Sequence, residues 1–226
     1  MPKHELVLQH RCTLTFSNLK VVRHSMPISP MLPDSSNIGL KEWAVTSRAL
    51  GQGEQILMLR KGGIREDSRH FKIEHQQFLL YPGVFHEGAL LLKPRYRSLI
   101  PVTAEADFSK EITLSVFCKL IETINISQEH QLKALDPFHI WSRSFPAKRF
   151  KWKPSQPLKL MIVRAYRLSQ TVTIPVIPSY RGCKSWVGLV EDIKTNDLKP
   201  ALSDSTFSSV LAEIHESIKI ESDHVK

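Results

Sequence analysis

Two rhythms of apolar and polar positions run along this chain, one near 3.6 residues and one of 2, and the changes between them mark its elements. "GLKEWAVTSRAL", residues 39–50, places Leu40, Trp43, Ala44 and Leu50 on one side of a helix that Gly51 and Gly53 stop. "EQILMLR" reads as a strand ending in the turn "KGGIRE". "FKIEH" and "FLLYP" read as further strands, the second broken by Pro82. "FHEGALLLK" reads as a short helix, "EITLSVFCKLIETINI" as a long strand, and "SQEHQLKAL" as a short helix capped by Ser127. "RFKWK", "LKLMIVRAYRL", "TVTIPVI" and "KSWVGLV" follow as successive strands separated by Pro and Gly. In "SDSTFSSVLAEIHESIKI", residues Phe207, Val210, Leu211, Ile214 and Ile218 fall on one helical stripe.

This order predicts an α+β fold, a single domain with a mixed, largely antiparallel curved sheet flanked by helices. The domain is expected over residues 38–222, closing with a helix at 204–220. Residues 1–37 stand apart, with two short β-like runs, a loop carrying Pro27, Pro30 and Pro33, and charge that is nearly all positive. They are expected to be a disordered arm, or an over-extended start of translation with Met26 or Met31 as the true beginning.

A length of 226 residues and a 42% hydrophobic content suit a globular protein with one substantial core. No run reaches the roughly 20 apolar residues that span a bilayer, and the N-terminus lacks a compact apolar signal segment. Cys12, Cys118 and Cys183 are isolated, which argues against a disulfide framework or a zinc finger. The expectation is a cytoplasmic protein without a membrane partner, metal or cofactor.

Charge changes that picture. The net charge is +9, which favours contact with a polyanion. Between Asp136 and Glu191 there is no acidic residue, while ten Lys and Arg residues occupy the same span. If residues 149–153 form a strand, Arg149, Lys151 and Lys153 share one face, with cations about 6.6 Å apart, a spacing suited to a phosphate backbone. Arg143 and Lys148 extend the row, and Trp152 and Tyr81 are candidates to stack on bases. A solvated edge strand rich in Lys produces the same pattern without any ligand.

A second candidate is the turn with Arg60, Lys61 and Arg65 around Gly62 and Gly63. Adjacent glycines let backbone N–H groups converge on one anion, and the cations add attraction. A plain hairpin turn uses the same pair. His75, His86 and Glu87, together with Glu42 and His139, offer general-base or ligand chemistry, but HExxH spacing is missing. They support a rival reading as a metal- or histidine-dependent phosphodiesterase or nucleotide-handling enzyme. A third reading is a protein-interaction module.

Several stretches together, "LKEWAVTSRALGQGEQILMLRKGGIRE", "FLLYPGVFHE", "FKWKPSQPLKLMIVRAYRL" and "GCKSWVGL", resemble domain of unknown function 1802, a family found largely in cyanobacteria and other bacteria. The resemblance runs from about Leu40 to Leu189. It implies no established activity. Association of some members with a restriction-endonuclease-like domain implies a role in DNA restriction or defence, although this sequence carries no such domain. The helix, glycine and Arg-bearing strand are also similar to PUA-like and ASCH-like barrels that bind RNA or modified bases.

Overall fold

The computed structural model describes residues 31–61, 71–83, 88–100, 108–182 and 184–220. Seven strands form one mixed sheet: β1 (Ser35–Trp43), β2 (Leu57–Arg60), β3 (Gln77–Gly83), β4 (Glu111–Ile126), β5 (Leu158–Pro175), β6 (Trp186–Lys194) and β7 (Lys199–Pro200). Their order is β2-β5-β4-β3-β1-β6, with β7 on β5. Only β1 and β3 pair in parallel; the other pairings are antiparallel. The helices are α1 (Ala44–Gln52), α2 (Glu129–Ala134), α3 (Ser144–Lys151) and α4 (Asp204–Ile220). The α+β, mixed-sheet, single-domain expectation holds.

Central strands are buried on both faces, which is why they read as continuous apolar runs. In β3, Phe78 and Leu80 join one cluster with Met58, Met161 and Val163, while Leu79 and Tyr81 join another with Phe117 and Val187. Across β2 and β5, Leu57, Leu59, Leu158, Leu160 and Ile162 turn to a third cluster that receives Phe207 and Ile214 of α4. The α4 stripe therefore packs as its periodicity predicts, and each fully buried side chain of this kind contributes roughly 1.5–3 kcal/mol. Ser203 caps that helix by accepting from the Thr206 N–H at 3.1 Å. Arg164, only 6% exposed, fixes its start by donating to the carbonyl of Leu202 at 2.8 Å and to Asp204 at 2.6 Å.

The sheet curves strongly. Register shifts fall between Leu114 and Val116 and between Leu120 and Glu122 where β4 meets β5, and such bulges bend a ladder. Four steps separate β2 from β1 in the strand order, yet the Arg60 guanidinium donates to the Lys41 carbonyl and pairs with Glu42 at 3.4 Å. The barrel suggested by the PUA-like and ASCH-like resemblance is thus not closed by backbone pairing among the described residues. It is an open sheet whose gap is bridged by side chains.

Several local expectations are corrected. Residues 39–43 are strand, because β1 is held on both sides by β3 and β6, and the helix begins only at Ala44. Its end is as expected: Gly53 adopts φ 75° and donates to Leu50 at 3.1 Å, and Glu54 donates to Ala49 at 2.9 Å. "FKIEH" forms no strand; Phe71 is buried by packing without a ladder. β5 runs unbroken where two strands were expected. The short helix starts after Gln128 rather than Ser127, since Gln131 Oε1 accepts from the N–H groups of both. Of the helix expected over residues 85–93, only a single turn at Ala89–Leu91 lies among the described residues.

The correction that matters most concerns "RFKWK". Ser144–Lys151 is a helix, and Lys153 follows in a left-handed conformation with φ 48°. Proline is tolerated in a first helical turn, where Pro146 lies, and the cations of the last turn complement the helix dipole. Tertiary packing decides the rest: Phe145 and Arg149, one turn apart, face inward. The alternating row of Arg149, Lys151 and Lys153 therefore does not form.

Candidate functional site

A recess of about 150 Å³ lies at the seam of the open sheet. Lys41, Glu42 and Trp43 supply the end of β1, Leu59 and Arg60 the end of β2, and Gly83 the end of β3. Trp141 and two residues of α3, Phe145 and Arg149, close it. The Arg149 guanidinium lies 5.3 Å from the Trp43 ring and 5.4 Å from the Phe145 ring, and those two rings meet edge to face with centroids 5.0 Å apart. A guanidinium stacked in this way brings its positive charge to the aromatic wall of the recess.

Electrostatics of the recess favour a negative guest. Among the described residues, Arg60 and Arg149 share the recess with one carboxylate, Glu42, whose Oε1 accepts from the Trp43 N–H at 2.8 Å and whose Oε2 is held by Arg60, while the Lys41 ammonium turns away to the Gly182 carbonyl at 2.9 Å. Two lining residues also carry buried N–H donors with no acceptor among the described residues, Nε of Arg60 and Nε1 of Trp141. An unmet buried donor costs roughly 1–3 kcal/mol, so an oxygen accepting from these groups would be favoured here. Behind Trp141, His139 is 2% exposed, and burial pushes its pKa down to about 4, so this wall is neutral at pH 7.

The pocket brings Arg60 and Arg149 together from two stretches that the sequence treated as separate sites. Lys61 stands beside them but is 5% exposed, donates to the Phe150 carbonyl at 2.5 Å, and has its pKa lowered by burial. It ties β2 to α3. Arg143 pairs with Asp136 at 3.4 Å, Lys151 approaches Glu129 at 3.9 Å, Lys148 is exposed, and Lys153 lies over the Trp152 ring at 4.5 Å. Tyr81 is 6% exposed inside the core, which removes it as a stacking surface, and Trp141 and Trp186 are likewise packed among other rings.

His75 packs against Trp186, its ring 5.3 Å away, and the Trp186 indole donates to the Lys72 carbonyl. Gly62, Gly63, Arg65, His86 and Glu87 lie outside the described residues. Among the described residues no group of three or more His, Cys, Asp or Glu gathers as a metal site, and no helix is long and apolar enough to cross a membrane.

Residues 39–213 match the family description "Domain of unknown function (DUF1802)". The chain belongs to the DUF1802 family. No curated protein and no solved structure matches it. The matched span of this DUF1802 chain contains every residue that lines the seam. Sequence reasoning missed Lys41, Trp43 and Phe145 in that lining. The signal for the first two was the two-residue spacing of Ile38 and Leu40, which marks a strand that delivers "KEW" to its end. For Phe145 it was Pro146 and Pro154, which bracket a helix rather than a strand.

Proposed function

We propose that this DUF1802 protein binds nucleic acid and seats one backbone or terminal phosphate in the seam between β1, β2 and α3. The observation that carries the reading is the meeting of Arg60 and Arg149 in one aromatic-walled recess with unmet buried N–H donors. Its volume of about 150 Å³ is below the roughly 300–1,000 Å³ of pockets that enclose a small-molecule cofactor. That size suits a phosphate with part of its sugar, the rest of the strand lying outside. Lys148 and Lys151 are exposed on the same helix that supplies Arg149. The net charge of +9 supplies long-range attraction.

Contacts of this kind give affinity and register without reading sequence. The test is fluorescence anisotropy with a labelled single-stranded oligonucleotide over a salt series. Each phosphate contact contributes about 0.7 to the slope of log K against log salt for single strands. Arg149→Gln is expected to lower the slope by about that amount and to weaken binding to unrelated sequences alike. An Arg149→Gln slope equal to that of the unaltered protein rejects the seam as the phosphate site.

A further inference from the structure

On the other side of the β1–α1 junction lies a second, larger recess of about 500 Å³. It shares no lining residue with the seam: the seam ends at Trp43 and Gly83, and this recess begins at Ala44 and Pro82. One face of α1 forms a wall, and β4 and β5 form the other. Its floor is apolar, with Ile112, Val116 and Leu168 buried beneath it. Its rim carries the exposed residues Arg48 and Arg167, and neither guanidinium has a hydrogen bond or ion pair among the described residues. Among the described residues, Glu111 is the carboxylate on the lining. Ser47, 7% exposed, adds a buried Oγ with no hydrogen-bond partner.

We infer that this recess is a binding site for a small organic anion, a compact apolar body bearing one carboxylate, sulfonate or phosphate group. The size falls within the roughly 300–1,000 Å³ typical of small-molecule pockets, which are mostly apolar with a few orienting polar groups. Arginine suits the head group because its planar fork meets oxyanions bidentately and stays charged. Among the described residues, two arginines stand on the rim against one carboxylate. The buried Ser47 hydroxyl has no partner among the described residues, and an oxyanion on the lining would supply one. Nothing in this inference depends on nucleic-acid binding at the seam.

The probe is 8-anilinonaphthalene-1-sulfonate, titrated calorimetrically into the full chain, with neutral N-phenyl-1-naphthylamine as the uncharged counterpart. The protein is expected to take up one equivalent of the sulfonate saturably and to bind the neutral compound at least about tenfold more weakly, the loss of one charge-assisted contact. Arg48→Ala/Arg167→Ala is expected to weaken sulfonate binding by at least about tenfold. Both side chains are exposed and unpartnered, so folding is retained, as a matching thermal midpoint will show. Thr171→Trp, an exposed lining position, is expected to block the recess and abolish uptake. Arg181→Ala, an exposed arginine on the lining of neither recess, is expected to leave the affinity unchanged. Failure of the unaltered protein to bind saturably, equal affinity in the double-arginine variant or in Thr171→Trp, equal binding of the neutral compound, or loss of binding in Arg181→Ala would each overturn the inference.

Discussion

His139 makes the stability of this protein depend on acid in a way that can be worked out beforehand. The side chain is 2% exposed, its Nδ1 has no partner among the described residues, and its own carbonyl accepts from the Lys93 ammonium at 2.7 Å. Burial, reinforced by the Lys93 charge and only partly offset by Asp136, pushes the imidazole pKa from an ordinary 6.5 down to about 4. The folded protein thus prefers neutral His139, and the unfolded chain binds the proton more readily between those two values. Stability from this residue is complete above about pH 6.5 and is lost as pH falls toward 4. At 1.36 kcal/mol per pH unit the full loss is about 3 kcal/mol, most of it gone by pH 4.5. Urea unfolding of the protein and of His139→Gln at pH 7.5, 5.5 and 4.5 measures it, because titration of every other group cancels in the difference. The stability gap between the two proteins is expected to move by about 2–3 kcal/mol in favour of the variant as pH drops to 4.5. A gap that stays constant with pH, or a proton-NMR titration placing His139 near 6.5 in the folded protein, refutes the reasoning.

Gly53→Ala is expected to lose roughly 1–2 kcal/mol or more in thermal or urea unfolding. The position has φ 75°, where an L-residue is strained, and an added Cβ would lie 2.6 Å from Leu202 Cδ2. Arg164→Met removes the donor that holds the start of α4, and the charge-assisted bonds lost are worth about 2 kcal/mol together with packing on Phe207. Hydrogen exchange is expected to speed most in α4, and uniform acceleration across the sheet would contradict that placement. Lys61→Met keeps the buried stem but drops the bond to Phe150, so it is expected to loosen α3 and weaken oligonucleotide binding without altering the salt slope.

Much of this fold was legible in the sequence where one rhythm persisted. β4 and α4 read correctly because sixteen and seventeen residues of one pattern leave little ambiguity. Short segments misled. "GLKEW" has helical spacing with the residues after it, yet backbone pairing to β3 and β6 on both sides makes it a strand. "RFKWK" alternates like a strand, yet Phe145 and Arg149 gain more by packing one helical turn apart against Trp43. Five residues offer too little pattern to outweigh long-range packing. The acid-free span was real in sequence, but folding sets Asp136 against Arg143, Glu129 against Lys151 and Asp204 against Arg164. The seam could not be read in advance, because it depends on curvature that brings β2 toward β1 across four strand positions.

The four tryptophans provide the most direct test of phosphate seating at the seam. Trp43 and Trp141 line it, and the Trp141 indole N–H has no acceptor, whereas the Trp186 indole already donates to Lys72. In proton–nitrogen NMR spectra recorded during titration with a 5′-phosphorylated trinucleotide, the Trp43 and Trp141 indole signals should shift together and saturate, with Trp186 unmoved. Saturable binding that leaves the Trp43 and Trp141 signals in place would show that the phosphate sits elsewhere and would contradict the proposed function.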